Sequence, residues 1–143
     1  EGYEIPLEST KIHGISNRYA KESGENRKDV LFFMDNILSK VDTIVGHNVD
    51  FDINVLKCEI LRVKGSEKPL FTQKYHNIID TMKIGVDICR LPSDKYNEKY
   101  KWPKLDELYS TLFNKSFEGQ HNAMNDIRAT YECYFEMKKR GLI

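Results

Sequence analysis

A chain of 143 residues is long enough for one domain with a real apolar core and short for two. Its 22 Lys and Arg against 22 Asp and Glu leave no net charge, which excludes a DNA-coating or polybasic membrane-surface protein and makes any nucleic-acid site a local one. At 40% apolar and 31% charged, the composition is globular and not disordered. No run approaches the ~20 apolar residues of a membrane span, and the first residues lack the layout of a signal peptide. Cys58, Cys89 and Cys133 are odd in number, far apart and without a CxxC pair. Neither a disulfide framework nor a zinc knuckle is suggested, so they read as reduced core-filling thiols of a cytoplasmic protein on apolar helical faces.

In chain order, residues 1 to 29 are polar, punctuated by Gly2, Pro6, Gly14 and Gly24, with Ile5, Leu7, Ile12 and Ile15 scattered among them; this predicts mostly loop. From Asp29, Val30, Phe33, Met34, Ile37, Leu38 and Val41 recur at helical spacing and predict one apolar face. Thr43 to His47 reads as a short buried strand, and Asn48 as the N-cap of a second helix bearing Phe51, Val55, Leu56, Cys58, Ile60 and Leu61. Gly65 to Lys74 is a turn-rich connection, and His76 reads as a capping or surface histidine. Asn77 to Asp80 is a second strand and Thr81 to Cys89 a helix. Leu91 to Lys104 is a loop, and Leu105, Leu108, Tyr109, Leu112 and Phe113 form an amphipathic helix. After Gly119, Asn122 caps a last helix with Ile127, Tyr131, Tyr134 and Phe135 on one face. That helix closes on Lys138, Lys139, Arg140 and Gly141, cations at the negative end of its dipole. The fold class is α/β.

Two strings could carry chemistry. In His47-Asn48-Val49-Asp50-Phe51-Asp52, a strand delivers the chain to a helix N-terminus, whose dipole favours an ionised Asp52. A fixed carboxylate at a strand end suits a metal or metal-bound water; the plainer alternative is ordinary first-turn helix chemistry. In His121-Asn122-Ala123-Met124-Asn125-Asp126, the imidazole could take a proton from water and the carboxylate hold a divalent ion, or His121 could be an exposed residue beside a helix cap. Together the two patterns are expected by chance only roughly 0.02 times in this composition.

Asn48-x-x-Phe51-Asp52 and His121 followed by Asp126 resemble the second and third motifs of the DEDDh 3′-5′ exonucleases, which have a ribonuclease H-like fold. His13-Gly14-Ile15 is similar to the His-Gly-Ile segment that this family places before its first long helix. Ile79-Asp80-Thr81 is similar to the strand end after the second motif. Within the family the likeness is to the proofreading or repair type, represented by the epsilon subunit of bacterial DNA polymerase III and its stand-alone relatives.

The resemblance implies hydrolysis of DNA from its 3′ end by a two-metal mechanism using magnesium or manganese. Asp126 would be a direct metal ligand, Asp52 a ligand through water and His121 the general base. Asn48, Phe51, His13, Gly14 and Ile15 would lie at the substrate. The implied partners are a single-stranded 3′ end of DNA, with RNA as the alternative, and a DNA polymerase, but no membrane. The family's first motif, an Asp-x-Glu on the first strand, has no counterpart. Only twelve residues precede His13, and their acids, Glu1, Glu4 and Glu8, lie outside any strand signal. With no initiator Met either, the expectation is a partial, N-terminally truncated exonuclease domain over residues 1–143. Its first antiparallel strands would be missing, and its own hydrolysis absent or much reduced.

The stretch Lys95 to Lys104 sets four lysines against one glutamate and interleaves Tyr96, Tyr100 and Trp102. Such a mixture tracks phosphates and stacks unpaired bases; equally, its rings could cover the edge of the next helix. A catalytically silent nucleic-acid-binding or polymerase-docking module is the second functional reading. Nothing supports another hydrolase, since the sequence lacks a nucleophile elbow, Walker loop or dinucleotide glycines.

Overall fold

The computed structural model describes residues 4–64, 77–95 and 98–143. Gly2, the 65–74 connection, His76 and Tyr96 therefore lie outside the described residues. Seven helices and two strands run in the order α1 (Leu7–His13), α2 (Asn17–Ser23), α3 (Arg27–Leu38), β1 (Thr43–Gly46), α4 (Val49–Lys64), β2 (Asn77–Asp80), α5 (Thr81–Cys89), α6 (Leu105–Phe113) and α7 (Ala123–Lys139) among the described residues. The strands pair in parallel, Thr43 opposite Asn77 through Gly46 opposite Asp80. Parallel neighbours need a long crossover, and α4 lies on it.

Residues 1 to 29, expected as loop, hold two short helices. Pro6 precedes α1, and Gly14 ends it by donating its N–H to the Thr10 carbonyl. Ser16 caps α2 by accepting from Tyr19 N–H, and Gly24 ends it. Of the residues read as loop punctuation, Gly14 and Gly24 are helix stops and Pro6 is a helix start. Neither helix buries a side chain, so apolar periodicity could not announce them. The third helix starts at Arg27, two residues before the expected Asp29, because Asn26 supplies its cap, and Val41 falls beyond its end.

The main core forms where α5, α6 and α7 meet. Leu108, Tyr109, Leu112, Ala129, Cys133 and Met137 are buried together, with Ile84, Ile88 and Phe117 packed against them. Gly85 lets the chain approach α5 closely there, since a Cβ would come within 2.9 Å of Pro103 Cγ. Three expectations for core faces need correction. Cys58 is exposed and not in the core. On α7 the buried row is Ala129, Cys133 and Met137, while Ile127, Tyr131 and Phe135 are exposed on another side. Val30, Phe33 and Ile37 of α3 are likewise exposed, and Leu31 is its buried residue.

Candidate active site

The C-terminal end of β1 is fixed by a polar junction. Thr81, fully buried at the start of α5, donates its hydroxyl to the Gly46 carbonyl at 3.1 Å and lies 3.1 Å from His47 Nδ1. His47 Nε2 is 3.0 Å from the Pro103 carbonyl oxygen. A carbonyl only accepts, so Nε2 carries the proton. Burial holds the His47 pKa below its ordinary value, the bonded Pro103 carbonyl and the charges of Asp80 and Asp106 opposing it. The neutral ring therefore presents a bare Nδ1, and the single Thr81 proton serves two acceptors.

Asp80 ties the second strand end to the same place. Its Oδ1 accepts from Asn48 N–H at 3.0 Å and from Met82 N–H at 2.9 Å. Asn48 stands directly before α4, the N-cap position expected of it, with a left-handed backbone, φ 69°, whereas the caps Ser16, Asn26, Asp80 and Asn122 are extended. Asparagine tolerates that conformation better than most residues. The turn leads directly into α4, whose first turn holds Asp52.

His121 is set by a second local lattice. Asn122 caps α7, accepting from Met124 N–H at 3.1 Å, as expected from its position. Asn125 Nδ2 donates to the Gly119 carbonyl at 3.2 Å, and a Cβ on Gly119, φ 71°, would collide with that nitrogen. The turn leaves His121 in a left-handed conformation, φ 68°, with its ring exposed. Non-glycine residues held there cost ~1–3 kcal/mol and cluster at functional sites.

One cleft of about 1540 Å³ collects the result. Asp52, His121, Asp126 and Asn48 line it, so residues some seventy positions apart face one space. Three helix N-termini open on it, those of α4, α6 and α7, each with an acid in its first turn: Asp52, Asp106 and Asp126. Helix N-termini attract anions, including phosphate. At Asp52, however, burial is the largest influence and raises the carboxyl pKa; Asp80 pushes it the same way, against a bond from its own backbone N–H. The helix end alone therefore does not set the Asp52 carboxyl, whose pKa moves up and not down.

The other expected substrate residues are not brought to the cleft lining. Phe51 is 63% exposed on α4, and His13, Gly14 and Ile15 form the exposed end of α1, where His13 Nδ1 accepts from Ile15 N–H at 3.0 Å. Sequence reading missed Asp106, whose only signal was a first-turn acid, and the support given by His47 and Thr81. Trp102 and Lys104 of the basic stretch do line the cleft.

Residues 1–134 match a family model described as Exonuclease. The chain is 28% identical over 135 residues to the DNA polymerase III subunit epsilon of Rickettsia conorii, covering 94% of this chain and 53% of that protein. To the protein of the same name from Rickettsia felis it is 27% identical over 135 residues, with the same two coverages. The chain spans about half the length of these curated relatives.

Proposed function

The chain belongs to the exonuclease family, and from that premise we propose that it carries the second and third motifs of a 3′-5′ exonuclease that acts on single-stranded ends of DNA. The observation that carries the reading is the meeting of Asp52, His121 and Asp126 on one cleft. His121, exposed at the cleft on its strained turn, is the group that takes a proton from water. The N-termini of α4, α6 and α7 turn backbone N–H groups toward an incoming phosphate. A DNA polymerase is the proposed partner, on the strength of the names of the relatives, and RNA the alternative substrate.

The family is generally dependent on divalent metals. Asp52 and Asp126 suit magnesium or manganese by donor type, being hard oxygens. They do not suit it by number: among the described residues no group of three or more His, Cys, Asp or Glu could hold an ion. The sequence also contains no Asp-x-Glu pair. On this reading a two-metal mechanism needs acids besides those of the described residues, and residues 1–143 alone hydrolyse weakly or not at all.

The test uses the polypeptide as its gene encodes it and a 3′-labelled single strand. Magnesium-dependent release of mononucleotides is expected, falling at least ~10²-fold in His121→Ala; release that survives this substitution refutes the assignment. The shortage of donors favours a second reading, a silent nucleic-acid-binding or polymerase-docking module. That module would bind oligonucleotides in EDTA and release nothing from them.

A further inference from the structure

The basic stretch before α6 does not act as a uniform charged loop. Lys95 is engaged by Glu98 at 3.3 Å and Lys101 by Glu107 at 2.5 Å. Trp102 and Lys104 instead line the cleft that holds Asp52, His121 and Asp126. Trp102 is the only tryptophan of the chain and is 62% exposed, an unusual fate for the largest apolar side chain. It is presented on a fixed backbone. On one side Lys101 N–H donates to the Leu91 carbonyl at 2.9 Å, and on the other Pro103 is fully buried with its carbonyl held by His47. An indole left 62% exposed at the cleft, on a rigid support and beside a lysine, has the properties of a stacking surface for a nucleobase next to a phosphate.

We infer that Trp102 is the platform on which an unpaired base of a single-stranded nucleic acid stacks as the strand enters the cleft, with Lys104 beside it at the backbone phosphate. This inference rests on the exonuclease reading for the identity of the ligand. It narrows the contact to two residues of the ten-residue stretch.

Because the chain has a single tryptophan, its intrinsic fluorescence reports this residue alone. Residues 1–143 are titrated in EDTA with an oligothymidylate of about twelve nucleotides, within the range one binding groove covers. An abasic strand of the same length is titrated in parallel, and affinity is read by the anisotropy of a label on each strand. The base-bearing strand is expected to quench the tryptophan and the abasic strand to leave it bright. Trp102→Ala should weaken binding of the base-bearing strand roughly 5- to 150-fold, Trp102→Phe should recover most of it, and binding of the abasic strand should not change. An unchanged thermal midpoint in both variants establishes that they are folded. If the wild type binds but is not quenched, and Trp102→Ala binds equally well, the platform is overturned while the nucleic-acid reading stands. If the wild type binds neither strand, both are overturned.

Discussion

Thr81→Val probes the junction behind the cleft with little change of shape. The side chain is fully buried, its hydroxyl donates to the Gly46 carbonyl at 3.1 Å, and it sits 3.1 Å from His47 Nδ1. Valine fills the same space but leaves the Gly46 oxygen and Nδ1 without that donor, and a buried acceptor left unpaired costs ~1–3 kcal/mol. Thr81→Ser keeps the hydroxyl and removes one buried methyl, worth about 0.8 kcal/mol. Urea denaturation should therefore rank valine about 2 kcal/mol and serine about 1 kcal/mol below the wild type, with the m-value unchanged. A double-mutant cycle with His47→Ala should give a coupling of ~0.5–1.5 kcal/mol, because the two side chains share one proton. Valine as stable as serine, or a coupling below about 0.3 kcal/mol, would refute the shared-proton arrangement.

His47 also makes stability depend on pH. Its folded pKa is lowered, chiefly by burial, from an ordinary value of 6.5. Below that value the unfolded chain takes up a proton that the folded chain refuses, so stability is full above it and lost as pH falls. Between pH 7 and 5, as an approximate window, the thermal midpoint of the wild type should drop further than that of His47→Gln. Thiol labelling at mildly alkaline pH should modify exposed Cys58 first and leave Cys133 until the protein unfolds, since burial pushes the Cys133 thiol up to about 12. Gly119→Ala combines a left-handed alanine, ~1–2 kcal/mol, with a collision at Asn125. It should shift the NMR resonances of the His121 ring and leave those of His13 in place. Leu108→Ala empties a fully buried position in the α5–α6–α7 core and should cost ~2–5 kcal/mol in urea titration.

The elements that pack were legible from residue pattern. Thr43 to Gly46, Asn77 to Asp80 and the helix at Leu105 to Phe113 stand where apolar runs and helical spacing put them. The short helices α1 and α2 were not, because they are delimited by Pro6, Gly14, Ser16 and Gly24 and bury nothing. Periodicity reported which side chains share a face but not what covers that face. Ile127, Tyr131 and Phe135 do share one, and it forms cleft wall, while Cys133 and Met137 on another side supply the core. Residue types and spacing singled out Asp52, His121 and Asp126, and these line one cleft. The left-handed turns at Asn48 and His121 and the buried contacts of His47 connect residues far apart in sequence, which no local pattern encodes.

The electrostatics of the cleft follow from how the helices enter it. Each of α4, α6 and α7 presents a positive dipole end that should stabilise the acid in its own first turn, an effect of ~0.3–1 kcal/mol at an exposed site. At Asp52 this is too small to prevail, since burial and the neighbouring Asp80 move the carboxyl toward its neutral form. The imbalance is specific to the cleft. At Glu107, where Lys101 bonds the carboxylate, the same burial is overcome and the pKa falls. What Asp52 lacks, among the described residues, is a cation bonded to it as Lys101 is to Glu107, although Lys57 and Lys104 line the same cleft. The place of Asp52 in the first turn of α4, on the cleft and beside no bonded cation, and not the count of charges in the chain, sets it apart from Glu107.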